Sequence, residues 1–222
     1  MQKQYFNAFA GDYREIHTQN IRGISGQDSD YFSEYKIKEL HSAGVLPEDA
    51  SWLDFGCGDG NSCRFIRSYY PESTYAGIDV SSESIRVARD TFRDESNVSF
   101  QVYDGVKIPF DDDSFDVVYI ACVLHHIAPD DRNAVLSECR RVLKPGGKMI
   151  IFEHNPKNPV TMKVVNTCVF DEDAILLHYS ECRKRLEECG FRNIRKRYTI
   201  FSPRKGIFNK MLGMEKALSW MR

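Results

Sequence analysis

The stretch that decides the fold reads WLDFGCGDG, Trp52 to Gly60. Trp52, Leu53 and Phe55 surround a single Asp54, and then glycine occupies every second position: 56, 58 and 60. A short apolar run bounded by glycines is a buried strand leaving through a tight turn. The next residues, NSCRFIRSYY, have helix character and stop at Pro71. Glycine is needed where φ is positive or where a ligand must approach main chain. A strand-glycine-helix junction also presents free N–H groups and the positive end of a helix dipole, a seat for a carboxylate or phosphate.

The same pattern repeats downstream. TYAGIDV is a second apolar strand ending in Asp79, and Ser81 or Ser82 caps the helix SESIRVARDTF. VSFQVYDG ends in Asp104-Gly105, and IPFDDDSFD is a turn-rich loop. FDVVYIACVLHHI is almost continuously apolar, as a strand covered on both faces must be. RNAVLSECRRVLKPGG is amphipathic and stops at Pro145-Gly146-Gly147, after which KMIIFEH is a fifth strand. Five alternations of strand and helix predict an α/β fold with a doubly wound, mostly parallel sheet of Rossmann-like type. Ligands of such sheets sit at the carboxyl ends of the strands. Those ends carry Asp54 and the glycines, Asp79, Asp104, His125-His126, and Glu153-His154.

The totals exclude several classes. The chain has 222 residues, 42% hydrophobic and 28% charged, with a formal net charge of −2. One domain of ordinary size fits this length. The charge gives no support to a nucleic-acid partner, and no apolar run reaches the length of a membrane span. Seven scattered cysteines without a CxxC pair point to reduced thiols, and the N-terminus lacks an apolar signal segment, so a cytoplasmic protein is expected.

A dinucleotide site would carry GxGxxG. Here the spacing is GxGxG and the sixth position is Asn61. Asp79 stands where an acidic residue accepts both hydroxyls of a ribose and disfavours a 2′-phosphate, and Asp104 can meet an exocyclic amine. With these residues in this order the chain resembles a class I S-adenosylmethionine-dependent methyltransferase. The resemblance runs from about Trp52 to Glu153 through LDFGCGDG, GIDVS, YDG with IPFDDDSFDVV, and RVLKPGGKMII. It implies that Asp54 and the turn from Gly56 through Cys57 and Gly58 to Gly60 hold the methionine part of the donor. Asp79 takes the ribose, Val80 packs on the adenine, Asp104 and Gly105 meet the adenine edge, and Ala121 and Cys122 line the methionine chain.

Methyl transfer is an in-line displacement that needs a base only when the acceptor must lose a proton. The candidates are His125, His126, Glu153 and His154. The same four could ligate a divalent cation, but the expectation is a site without metal. The [N/D]PPY motif of amide-type nitrogen methylation is absent after strand four, where the chain reads ACVLHH; so is a Pro-Cys pair for cytosine. The expected reaction is O-methylation of a small molecule, in a saccharide or secondary-metabolite pathway, releasing S-adenosylhomocysteine. The alternatives are a nicotinamide-dependent oxidoreductase and a donor-binding module without catalysis.

The expected organisation is a single domain over 1–222. Residues 1–46 form a helical cap with Tyr13, His17, Tyr31, Phe32 and Tyr35 as lid residues. Residues 50–155 are the donor-binding core, 156–180 a loop-rich lid-like insertion, and 181–222 a helix-strand-helix whose strand is RNIRKRYTIF. The family's sheet ends in an antiparallel seventh strand, whereas this chain ends in the helix KALSWMR. A sheet one strand short, a sequence truncated before that strand, or an edge covered by a second copy in a homodimer is therefore expected.

Overall fold

A computed structural model describes residues 18–20, 22 and 27–199. Five strands, β1 (Ser51–Phe55), β2 (Thr74–Asp79), β3 (Val98–Val102), β4 (Phe115–Ala121) and β5 (Leu143–Phe152), form one sheet in the order β3-β2-β1-β4-β5. Every pairing is parallel. Helices α1 (Ser29–Ala43), α2 (Asn61–Tyr69), α3 (Ser82–Thr91), α4 (Arg132–Val142), α5 (Pro159–Thr167) and α6 (Tyr179–Glu188), with 3-10 turns at Leu124–His126 and Val169–Asp171, complete the described elements.

The strand period of two sorts the core into two layers. Leu53, Phe55, Val118 and Ile120 pack with Leu136 and Val142 of α4 and Leu186 of α6. Trp52, Tyr75, Val117 and Tyr119 pack on the other face with Ile37 of α1, Cys63 and Ile66 of α2, and Ile85 and Ala88 of α3. Because both faces are covered, the central strands read as unbroken apolar runs. Reversal of winding direction at β1 and β4 opens the crevice above their carboxyl ends, where this sheet type takes its ligands. All seven cysteines are free. Among the described residues no helix is long and apolar enough to cross a membrane.

Three segments differ from the sequence expectation. β5 begins at Leu143, ahead of Pro145-Gly146-Gly147, and its pairing jumps from Phe115–Leu143 to Val117–Lys148. The Pro-Gly-Gly stretch thus bulges inside the strand, with Gly146 at φ +80°, instead of preceding it. The 156–180 segment is not merely loop: Asn158 Oδ1 accepts the Val160 and Thr161 N–H groups, Pro159 occupies the first turn, and α5 follows. The strand expected over RNIRKRYTIF is not formed at 192–199. Asn193 turns at φ +56°, the Lys196 ammonium lies over the Tyr179 and Tyr198 rings, and Arg197 pairs with Glu39 of α1 at 2.9 Å. These contacts tie the segment to α1 and α6. Tyr13, His17 and the terminal helix lie outside the described residues.

One ion pair fastens the bottom of the sheet. Asp116 Oδ2 accepts from the Ser51 N–H and hydroxyl and from the Lys144 ammonium at 2.9, 2.7 and 2.9 Å. Burial raises its pKa, but the Ser51 donors and then Lys144 outweigh that and hold it at about 2, below the ordinary 3.8. A depressed folded-state pKa contributes stability above the unfolded value, and the contribution disappears as pH falls from about 4 towards 2. Asp116→Asn is therefore expected to cost on the order of 1 kcal/mol at pH 7, after allowing for solvent screening of this part-exposed pair. The difference from wild type should vanish near pH 2 in urea titrations; a gap that does not narrow in acid would refute this role.

Candidate active site

The glycine turn is stitched to β2. The Gly56 and Cys57 N–H groups both donate to Ile78 O, at 2.8 and 3.0 Å. Gly58 N–H donates to Asp79 Oδ2 at 2.9 Å, while Ser81 N–H donates to Asp79 Oδ1 at 2.8 Å. Gly56 has φ +75°, and a Cβ there would meet Val123 Cγ2 at 2.5 Å, so neither the backbone nor the loop after β4 tolerates a side chain. A Cβ on Gly58, by contrast, meets nothing within 4 Å, and the same holds at Gly105. Open space thus borders both the turn and the Asp104 loop.

Burial raises the Asp79 pKa, against the pull of the Ser81 and Gly58 N–H groups. Each Asp79 oxygen accepts one of these two backbone N–H groups and has a second lone pair, the acceptor pattern that a vicinal diol requires. The residues therefore fit an adenosyl group. Asp104 Oδ1 accepts the Val106 and Lys107 N–H groups and shapes the exposed loop after β3. Val80 is part-buried against the apolar core. Asp54 is 2% exposed and accepts the Tyr75 hydroxyl at 2.7 Å. Burial pushes its pKa up to about 7, with the Tyr75 bond opposing and the Asp79 charge adding to the rise.

β4 ends at Ala121, and Cys122 follows at φ +58°. The Cys122 thiol lies 3.9 Å from the Lys36 ammonium of α1. Burial works to raise its pKa, but Lys36 and then His154 bring it down to about 7. Beyond it the sequence-predicted acid-base residues come together. Glu153 Oε1 accepts the Val123 and Leu124 N–H groups at 3.2 and 2.8 Å, and Oε2 lies 2.6 Å from His125 Nδ1. The His125 ring stands 4.1 Å from that of His126 and 5.1 Å from that of His154. Burial opposes protonation of His125, but the Asp171 and Glu153 carboxylates prevail and raise it to about 10. Burial and then the His125 charge lower His126 to about 4.

Three members of this neighbourhood were not foreseen. Asp171, on a short 3-10 turn at Val169–Asp171, brings Oδ1 to 3.4 Å from His125 Nε2 and 3.6 Å from His126 Nε2. It sits in an Asp-Glu-Asp run that offers no pattern to single it out. Lys36 reaches Cys122 from a helix 86 residues away. Arg132, wholly buried, donates to Leu124 O and Ile127 O, to Ile175 O at 2.5 Å and to Glu181 at 3.0 Å. It clamps the loop bearing both histidines against the segment after Asp171, where Ile175 N–H also donates to His125 O at 2.8 Å.

Comparison with known proteins bears on the domain and the fold. The methyltransferase domain family model matches residues 53–151. The chain is 37% identical over 145 residues to the methyltransferase GfsG of Streptomyces halstedii, covering 62% of this chain and 51% of that protein. It is 35% identical over 141 residues to a ubiquinone/menaquinone biosynthesis C-methyltransferase of Ectopseudomonas mendocina, covering 61% and 54%. The chain thus spans about half the length of the curated relatives it matches. A solved complex of the Haloferax volcanii Trm112 methyltransferase activator with a methyltransferase matches in fold, with TM-score 0.66, 24% identity and coverage of 88% and 79%. Sheet order and family match agree: residues 53–151 match a methyltransferase domain, on a sheet with the strand order of the class I, S-adenosylmethionine-dependent methyltransferase fold.

Proposed function

We propose that the protein transfers a methyl group from S-adenosylmethionine to a small-molecule acceptor, at a hydroxyl oxygen. The observation that carries the reading is the Asp79 carboxylate, gripped by Gly58 and Ser81 N–H groups beside the open glycine turn. In this reading Asp79 holds the ribose, with Val80, Asp104 and Gly105 around the adenine. Asp54, the turn from Gly56 through Cys57 and Gly58 to Gly60, Ala121 and Cys122 surround the methionine part. When bound, S-adenosylmethionine supplies a methyl on a sulfonium, whose thioether leaves without needing a proton. The chain's own work is alignment and handling of the acceptor proton. His126, at the edge of the cluster, receives that proton. His154 borders the acceptor, and His125 and Glu153 are positioning residues that fix the loop after β4.

A second reading places the methyl on carbon; it is favoured by the 35% identity to a C-methyltransferase. Calorimetric titration with S-adenosylhomocysteine and with NADH tests the donor, and binding of NADH alone would overturn the proposal. Carbon-13 methyl-labelled S-adenosylmethionine, incubated with a panel of phenols, sugars and a demethylated quinone, tests the acceptor by NMR. An O–CH3 product supports the first reading and a C–CH3 product the second. Tight donor binding without product across the panel would leave a donor-binding module.

A further inference from the structure

Ligand-type atoms of His125, His154 and Asp171 lie within 4.8 Å of one another. His125 is 1% exposed, and its Nε2 has no hydrogen-bond partner among the described residues. The other ring nitrogen faces the Glu153 carboxylate at 2.6 Å, so Nδ1 keeps its hydrogen when a cation displaces the proton of Nε2, the nitrogen that faces Asp171. The 3.4 Å from Nε2 to Asp171 Oδ1 is long for a charge-assisted hydrogen bond, which closes to about 2.7–2.9 Å. It suits two ligands of one cation: at about 2.0–2.1 Å from a tetrahedral zinc, ligand atoms stand roughly 3.4 Å apart. A carboxylate behind the imidazole, as Glu153 is here, is the arrangement that orients metal-bound histidines. Charge balance points the same way. Glu153 and Asp171, with side chains 13% and 8% exposed, bring two negative charges into the interior; the protonated His125 ring between them offsets one, whereas a divalent cation taking the place of its Nε2 proton neutralises both.

We propose that His125, His154 and Asp171 form a binding site for a divalent transition-metal ion, with Glu153 as the carboxylate that orients His125. This departs from the metal-free expectation of the sequence. Two imidazoles and one carboxylate select the zinc, iron(II) and manganese class over calcium or magnesium. Three protein ligands leave a coordination position open. Its use rests on the methyl-transfer reading: an acceptor hydroxyl taking that position is acidified by the cation. Its proton passes to His126, the O–CH3 bond forms as the S–CH3 bond breaks, and the sulfonium becomes a neutral thioether. Cation binding itself is independent of that chemistry.

The test uses untagged, chelator-treated protein titrated with zinc chloride, with cobalt(II), manganese(II) and magnesium arms, followed by metal analysis after desalting. One retained zinc ion per chain, and a visible absorption band with cobalt(II), are expected. Asp171→Asn and His154→Ala should each weaken zinc binding at least tenfold, Glu153→Gln by 10- to 100-fold, and His41→Ala, on α1, should change nothing. Each variant is checked for fold by its S-adenosylhomocysteine affinity. Absence of retained zinc and of a cobalt(II) band overturns the proposal, as does zinc binding unchanged by Asp171→Asn. Zinc binding without S-adenosylhomocysteine binding would overturn the methyl-transfer reading and leave the metal site standing.

Discussion

Replacing Asp79 by alanine is expected to raise the dissociation constant for S-adenosylhomocysteine by about two orders of magnitude or more. Two terms add. A diol bound to a buried carboxylate makes two charge-assisted hydrogen bonds, each contributing about 1.5–3 kcal/mol, and about 1.4 kcal/mol is a factor of ten. The substitution also releases Gly58 N–H, which Asp79 Oδ2 accepts, so the turn loses its tether to the end of β2. Asp79→Asn keeps one acceptor for that N–H and should fall in between, nearer tenfold. Titration calorimetry on both variants, with thermal melts to confirm folding, is the measurement. An unchanged affinity in the alanine variant would remove the ribose assignment.

The second large effect is on stability. Arg132 is fully buried and satisfies three carbonyl oxygens and Glu181 with one planar fork. Arg132→Met removes this donor from the Ile127 and Ile175 carbonyls, while Leu124 O keeps the Ile127 N–H and Glu181 keeps Arg185, an expected cost of about 3 kcal/mol. For a chain of this size that lowers the melting temperature by about 10 °C. Arg132→Lys should rescue little, because an ammonium cannot address the Leu124, Ile127 and Ile175 carbonyls in one plane. Urea denaturation decides it. A loss below about 1 kcal/mol would mean that the loop after β4 is held by its apolar contacts and not by this side chain.

What could be read from the chain beforehand was what is local. The glycine turn, Asp79 and Asp104 announced themselves because strand, turn and ligand-facing residue fall within a dozen positions of one another. α5 was equally local, since Asn158-Pro159 is an N-cap followed by a first-turn proline, but the surrounding asparagines and prolines read as loop. The β5 bulge was hidden because Pro-Gly-Gly signals a stop whether it precedes a strand or buckles one. RNIRKRYTIF has strand-like composition, yet its cations over 192–199 find aromatic and acidic partners on helices. Asp171, Lys36 and Arg132 were out of reach for another reason. Their meaning lies in contacts across 5 to 86 residues, and no periodicity encodes those.

The stitching of the glycine turn to β2 has a consequence for how the molecule can change. Gly56, Cys57 and Gly58 lean on Ile78 and Asp79, within the centre of the sheet. Their amides should exchange with solvent only on global opening. Asp171 and the Ile175 contact come instead from a 3-10 turn and a loop outside the sheet, held by the Arg132 clamp and not by the strand ladder. Mutational drift is therefore unequally tolerated across the crevice. The wall containing Asp79 is tied to the survival of the fold, while the wall containing Asp171 can be rebuilt by insertion or replacement without unfolding the rest.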